Sequence, residues 1–426
     1  MPRCVQILTR FDLGGAHRIA LQIAAFAGAH GWESHICAGP GGLPSEFAGS
    51  LIDAARGVHG RLMSVRQVAR LRREVSPVDD MLALCELTHL LRKLRPDVVH
   101  THTSKAGIIG RLAAHLARVP LVVHTVHGWS FNSSQPRVLR RFYLELERFT
   151  ARRTNRMLTV CETDMHTGLS LGIGLKDRYQ TIRWGVALSE SASRAIEPCG
   201  SNNVDGSDTV HASRVSTDTV RLLFGGVFSP PTAVEKRAAR ERLGQDPDSE
   251  LAGWIGPFKL QKSPADFVRI AARIAQTRPR TRFLMAGDGM LRAETEALAK
   301  SMGVADKIRF TGWCHDVPTF MKAIDVLLLT SRWEGLPLTL MEAAASGVPF
   351  VAADVGGVRE LVRDGLCGAV LPPTNTEGFV KETVRLLERR ADDLDETARA
   401  ARLAAERACD VVRPLEAVLS LYRASL

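Results

Sequence analysis

The sequence has no paired cysteines. Its eight Cys residues (Cys4, Cys37, Cys85, Cys161, Cys199, Cys314, Cys367 and Cys409) are scattered without a CxxC pair or metal-ligand spacing. That argues against a disulfide framework or a zinc site and for a reducing compartment. Long apolar runs are missing too: no uninterrupted stretch approaches the ~20 residues needed to span a bilayer. No signal peptide is visible ahead of the first strand pattern, Val5 to Leu8, so the expectation is a cytoplasmic enzyme, soluble or peripherally attached. The second half of the chain lacks net charge. Residues 186–426 hold 31 Lys+Arg against 32 Asp+Glu, whereas residues 1–185 hold 25 against 14. A basic excess confined to one half could answer to nucleic acid, an anionic membrane or an acidic substrate.

What is present is an alternation of short apolar runs and amphipathic stretches, repeated in two halves. Strand patterns fall at Val5–Leu8, Ser34–Cys37, Val98–His100, Leu121–Val126, Met157–Val160 and Tyr179–Ile182, and again near residues 251–255, 281–285, 307–310, 326–329, 348–352 and 368–370. Helical patterns lie between them. Such alternation implies parallel, doubly wound sheets, and 426 residues suit two domains. Residues 187–220, rich in Ser, Asn, Asp, Thr and Gly, read as a linker or insertion. The division is therefore 1–186, a linker at 187–220, 221–410, and a last helix at 411–426.

In open α/β sheets, ligands bind at the carboxyl ends of the strands, and the unusual residues fall there. The most informative stretch runs from Ser331 to Pro373: a strand leads into Glu334-Gly335-Leu336-Pro337, a helix carries Glu342, and a second strand ends at Gly356-Gly357. Pro337 suits the first helical position. The N–H groups of Leu338, Thr339 and Leu340 would then face any anion at the helix start. The arrangement fits a phosphate there, with a carboxylate on either side for sugar and ribose hydroxyls. In the first half, His100-Thr101-His102-Thr103-Ser104-Lys105 and His124-Thr125-Val126-His127 follow two strands. Two His-bearing loops could hold a metal ion, but no carboxylate or Cys is arranged to complete it. The other reading is structural, with one imidazole of His100 and His102 satisfied inside the sheet end.

The Glu334–Glu342 segment resembles the E-x7-E signature of retaining GT-B glycosyltransferases, specifically glycosyltransferase family 4 (glycosyl transferases group 1). The resemblance covers residues 3–186 and 222–424 and implies two Rossmann-like domains facing across a cleft, the last helix crossing back to pack on the first. It implies transfer of a hexose or N-acetylhexosamine from a nucleotide sugar, UDP being the expected nucleotide, to a saccharide acceptor on a polyprenyl diphosphate. Glu334 would orient sugar hydroxyls and Glu342 the nucleotide ribose, with Leu338 and Thr339 at the diphosphate. Gly256-Pro257-Phe258-Lys259-Leu260-Gln261-Lys262 matches the family's G-R-x-x-x-x-K clamp, with Lys262 on its Lys but Pro257 where Arg is usual. Either Lys259 supplies the second cation or the clamp is weaker. Gly287 resembles a turn near the nucleotide, and Thr311–Val317 the loop that reads the base. Gly15 would lie against the donor phosphates or the acceptor, with His17 where a Glu often follows. His127 would face the donor sugar, while His102 and Lys105 are candidates on the acceptor side. No Asp-x-Asp pair follows a strand, so neither metal nor cofactor is expected, and nucleic acid is not an expected partner. The other readings are a degenerate homologue kept as a binding subunit and a GT-B nucleotide-sugar epimerase. Arg137, Arg140, Arg141, Arg148, Arg152 and Arg153, beside Phe142, Tyr143, Leu146 and Phe149, suggest a helix at an anionic membrane surface, or one whose Phe142, Leu146 and Phe149 are core.

Overall fold

The computed structural model describes residues 1–10, 14–41, 63–131, 135–188, 226–363, 365, 367–388 and 391–426. The proposed linker, apart from Ala187 and Leu188, and the residues Asp12 and Leu13 of the first glycine turn lie outside the described residues. The chain divides into two compact units: one built on Met1–Trp184 with Val411–Leu426, the other on Gly185–Ser189 with Gly225–Asp410.

The first unit runs β1 (Arg3–Leu8), α1 (Gly15–Ala29), β2 (Glu33–Ala38), β3 (Met63–Gln67), α2 (Pro77–Leu94), β4 (Val98–His102), α3 (Ser104–Leu116), β5 (Leu121–Val126), α4 (Arg137–Ala151), β6 (Arg156–Thr159), α5 (Glu162–Ser170) and β7 (Tyr179–Thr181). Its strands form one parallel sheet in the order β3-β2-β1-β4-β5-β6-β7. The order reverses between β1 and β4, so the carboxyl ends of those two strands flank the crevice where such sheets bind ligands. Helix starts follow local chemistry: α2 opens with Pro77 after Ser76, whose hydroxyl accepts from the Asp79 N–H.

The second unit runs α6 (Ala233–Arg242), β8 (Leu251–Ile255), α7 (Pro264–Thr277), β9 (Arg282–Ala286), α8 (Arg292–Ser301), β10 (Ile308–Gly312), α9 (Val317–Ala323), β11 (Val326–Leu329), α10 (Leu338–Ala345), β12 (Phe350–Ala353), α11 (Val358–Arg363), β13 (Gly368–Leu371), α12 (Thr376–Leu387) and α13 (Ala391–Ala408). Its parallel sheet is ordered β10-β9-β8-β11-β12-β13 and reverses between β8 and β11. Strand β11, Val-Leu-Leu-Leu, is apolar throughout because both its faces are covered. Leu327 and Leu329 enter the core with Phe320, Leu340 and Met341, while Val326 and Leu328 enter the opposite core with Trp254, Phe267 and Phe283. Each such side chain contributes roughly 1.5–3 kcal/mol of burial.

The last helix, α14 (Val412–Ala424), belongs to the first unit and buries Leu415, Val418, Leu419 and Tyr422 there. Among the described residues no helix is long and apolar enough to cross a membrane.

Candidate active site

In the second unit, β8 and β11 lie side by side, so the loops that follow them meet. A short 3-10 turn over Leu260–Lys262 carries Lys262, whose Nζ lies 2.6 Å from Glu334 Oε1. Both side chains are nearly enclosed, at 14% and 8% exposure, so the pair is screened far less than a surface one. Gln261 braces the same loop by donating to the Trp333 carbonyl at 2.9 Å and to Glu334 Oε2 at 3.4 Å. Lys262 is thus the cation that meets Glu334; Lys259 precedes it, its backbone N–H on the Pro257 carbonyl.

The glycines of these loops are required by close backbone approach. A Cβ on Gly356, whose φ is +53°, would sit 2.2 Å from the Glu334 carbonyl oxygen, and the Gly357 N–H donates to the Gly335 carbonyl at 2.7 Å. The Gly356-Gly357 pair therefore sets the position of Glu334. Gly287 has φ +137°, and a Cβ there would lie 1.9 Å from the Gly256 carbonyl oxygen. It fastens the ends of β8, β9 and β10 together, since its own N–H donates to the Gly312 carbonyl at 2.7 Å.

Pro337 lies one residue earlier than the sequence suggests. Its ψ of 108° is extended, making it the N-cap, and α10 begins at Leu338. The Leu340 N–H turns back to the Pro337 carbonyl at 3.1 Å, so it is not part of an anion site as expected. Leu338 and Thr339 occupy the first turn, and Glu342, 3% exposed, sits in the second. Two hydroxyls at this corner, Ser331 Oγ and Thr339 Oγ1, are buried without a hydrogen-bond partner among the described residues. Buried orphan hydroxyls beside a buried ion pair and a helix N-terminus suit a polar, anionic ligand. Ser331 escaped the sequence reading because a lone Ser after a strand carries no signal of its own.

In the first unit three of the four histidines of these segments lie within the strands rather than after them. His100 and His102 belong to β4 and His124 to β5, all of them buried, while half-buried His127 follows β5. His102 Nδ1 lies 3.0 Å from His127 Nε2, and its Nε2 lies 2.9 Å from Gln6 Oε1. His100 stacks on His102 at 4.3 Å and contacts Tyr422 Oη and Thr125 Oγ1, each at 2.6 Å. His124 Nδ1 meets Thr101 Oγ1 at 2.9 Å. Burial, with the neighbouring His127, drives the His100 pKa down to about 3. Burial, with His17 nearby, drives that of His127 to about 3. His102 and His124 are likewise held well below the usual histidine value, by burial and then by His100 and Arg111 respectively. Among the described residues no group of three or more His, Cys, Asp or Glu is placed to hold a metal ion.

Two of the acceptor-side candidates are corrected by this geometry. His102 is fully buried behind His127, with both ring nitrogens engaged, so it cannot touch a substrate itself. Lys105 is an ion-pair partner of Asp80 on α2 at 2.5 Å and also bonds the Glu74 carbonyl; its charge is satisfied inside the protein. Between them Thr103 holds φ +62° and ψ 160°, a region that β-branched residues avoid, with its hydroxyl 2.8 Å from Thr9 Oγ1. This strained residue stands at the end of β4, on the crevice side of the strand reversal. Gly15 is the exposed first residue of α1, at the neighbouring end of β1.

Comparison with known proteins bears on both units. Residues 235–404 match the family model described as glycosyl transferases group 1, and residues 14–174 match a glycosyl transferase 4-like domain. A UDP-Gal:α-D-GlcNAc-diphosphoundecaprenol α-1,3-galactosyltransferase of Escherichia coli is 30% identical over 329 residues, 75% of this chain and 74% of that protein. The chain belongs to the group 1 glycosyltransferases. A lipopolysaccharide core biosynthesis mannosyltransferase of Rhizobium meliloti is 35% identical over 143 residues, 32% of this glycosyltransferase and 40% of the relative. Anabaena HepE, solved in complex with UDP and glucose, superimposes with a TM-score of 0.75 at 16% identity over 99% of each chain, a likeness of fold. On this GT-B fold Lys262 pairs with the Glu334 carboxylate, and Gly356 packs against the Glu334 backbone.

Proposed function

We propose that this enzyme transfers a hexose or N-acetylhexosamine from a UDP-sugar, with retention of configuration, to a saccharide carried on a polyprenyl diphosphate during assembly of a surface polysaccharide. The observation that carries the reading is the enclosed Lys262–Glu334 pair beside the start of α10. Lys262 and the N–H groups of Leu338 and Thr339 stabilise the departing diphosphate, supplying positive charge where negative charge develops. Thr339 Oγ1 adds a hydrogen bond, Glu334 orients sugar hydroxyls once Lys262 turns to phosphate, and Glu342 holds the ribose. Support for donor and acceptor comes from the Escherichia coli relative, named for UDP-galactose and a diphosphoundecaprenol-linked sugar, and from HepE, solved with UDP. A degenerate binding subunit is disfavoured because both glutamates and the lysine are in place.

The test separates binding from turnover. UDP should raise the melting temperature of the wild type by mass action. Glu342→Gln should weaken UDP roughly 10- to 100-fold, the loss of one charged hydrogen bond. Glu334→Gln should keep the UDP shift while slowing donor hydrolysis and transfer, and turnover should persist in a chelator. If both variants bind UDP and turn over like the wild type, the roles assigned to the two carboxylates are wrong.

The same reading includes attachment of the first unit to an anionic membrane, where such an acceptor resides. Its support is α4. Val138 is 83% exposed, Phe142 51% and Phe149 44%, so those two phenylalanines are not core; the face turned inward carries Glu147, Thr150 and Ala151. Arg137, Arg140 and Arg141 are exposed on the same helix, and Arg153 stacks 3.9 Å over the Phe149 ring. Each basic residue near an anionic surface is worth about 1 kcal/mol. Co-sedimentation with anionic vesicles should therefore be strong at low salt, fall with added salt, and drop in a Phe142→Ser/Arg140→Ser/Arg141→Ser variant. Equal recovery with neutral and anionic vesicles would rule attachment out.

A further inference from the structure

We infer that Tyr422, Gln6 and His102 are positioning residues that fix the tautomer of His127, so that the last helix of the chain dictates which His127 nitrogen meets a substrate hydroxyl. The inference rests on the proposed glycosyl-transfer reading for what that nitrogen does, but not for how it is set.

The direction of the chain of hydrogen bonds follows from donor and acceptor chemistry. Tyr422 Oη and His100 Nδ1 are 2.6 Å apart. A phenol is a better proton donor than a neutral imidazole, and an imidazole nitrogen a better acceptor than a phenol oxygen, so the O–H donates to Nδ1. That leaves Tyr422 Oη to accept, which it does from Gln6 Nε2 at 3.2 Å. With its nitrogen so used, Gln6 presents Oε1 to His102 and can only accept, so His102 carries its proton on Nε2, 2.9 Å away. His102 Nδ1 is then bare and accepts from His127 Nε2–H at 3.0 Å. Neutral His127 is left with a bare Nδ1, which makes no hydrogen bond among the described residues and is not among the buried unpaired atoms. That atom is an acceptor and suits a sugar hydroxyl, which donates, rather than a phosphate, which accepts.

The positions explain why these residue types occur. Gln6 is a fully buried amide within β1, whose pattern Arg-Cys-Val-Gln-Ile-Leu is otherwise apolar past its first residue. Burying it costs free energy unless all its groups are engaged. Tyr422 is fully buried and lies 416 positions from Gln6, so the network closes only when α14 is docked. Docking of α14 is thereby coupled to the acceptor state of His127.

The experiment is a long-range nitrogen–proton NMR correlation on the full chain labelled with nitrogen-15 in its histidine rings, with His127→Gln assigning the His127 signals. The expected result is a proton on His127 Nε2 and none on Nδ1. Tyr422→Phe removes the group that sets the direction, and His102→Leu the acceptor. Both should populate the other tautomer and lower kcat roughly 10- to 100-fold, the effect of losing one well-placed hydrogen bond, with UDP affinity unchanged. His102→Asn, whose Oδ1 takes the place of Nδ1, should recover most of kcat; a role in packing alone would not distinguish Asn from Leu in this way. A proton on His127 Nδ1 in the wild type would mean that the whole chain runs the other way and would overturn the inference. So would an unchanged tautomer in both Tyr422→Phe and His102→Leu. If no UDP-sugar is turned over, the proposed function fails, while the NMR result still decides the tautomer.

Discussion

Lys262→Met is expected to lower donor turnover by roughly 10²–10³-fold, the cost of removing one charge-stabilising donor from an enclosed site. Two effects contribute, and they can be separated. The substitution takes away the cation proposed for the leaving diphosphate. It also leaves the Glu334 carboxylate, 8% exposed, without its 2.6 Å partner, and an uncompensated buried charge costs roughly 3–5 kcal/mol. The single variant should therefore be destabilised. Removing both charges in Lys262→Met/Glu334→Leu relieves the stability defect, because a buried pair replaced by apolar residues of similar volume is often neutral. If the pair serves catalysis, melting temperature should recover in the double variant while turnover stays lost. Recovery of turnover together with stability would show that Lys262 and Glu334 only hold two loops together.

How far such residues can be read from sequence depends on the range of the interactions that place them. Strands such as Leu251–Ile255 and Val326–Leu329 coincide with apolar runs because parallel strands covered on both faces have no polar side to interrupt the pattern. β3 was missed: Met63–Gln67 is an edge strand whose sequence, Met-Ser-Val-Arg-Gln, offers little apolar pattern. The places of Glu334, Glu342 and Lys262 at strand and helix ends were legible because each lies within a local motif. The actual pairing of Lys262 with Glu334 was not, since β8 and β11 must first be set side by side. His102 and Lys105 were misjudged for the same reason. Their residue types suit ligand binding, but Gln6 and Asp80, which satisfy them, are supplied by other elements. A polar residue inside an apolar strand, as Gln6 is in β1, was the available clue to the network under His127.

Acidification to about pH 5 is expected to unfold the first unit while the second remains folded. His100, His102, His124 and His127 lie together at the ends of β4 and β5, and all four have depressed values, to about 3 for His100 and His127. Burial is the first cause in each case, aggravated by mutual repulsion and, for His124, by Arg111. In the unfolded chain a histidine takes up its proton near pH 6.5. Between about pH 6.5 and 3 the unfolded state therefore binds more protons than the folded one, and stability rises with pH across that window. The contribution is whole above about pH 6.5 and is lost as the pH falls. Each histidine adds a slope of about 1.4 kcal/mol per pH unit, so four together approach roughly 5 kcal/mol per unit. Against the 5–15 kcal/mol that typically holds a domain, one to two units of acidification suffice. Ordinary surface carboxylates act later, near and below about pH 4.3, and cannot account for a loss that begins at pH 6.5. The second unit is an internal control, since its one histidine is His315. Calorimetric scans from about pH 7.5 to 5, with hydrogen exchange on β4 and β5 peptides to assign the transition, should show the first unit's melting temperature falling steeply and the second's holding. Unfolding at pH 5.5 should take up at least four protons, His35 adding to the count because burial lowers its value as well. Parallel, shallow falls in both transitions would mean that the histidine cluster is not held neutral by burial.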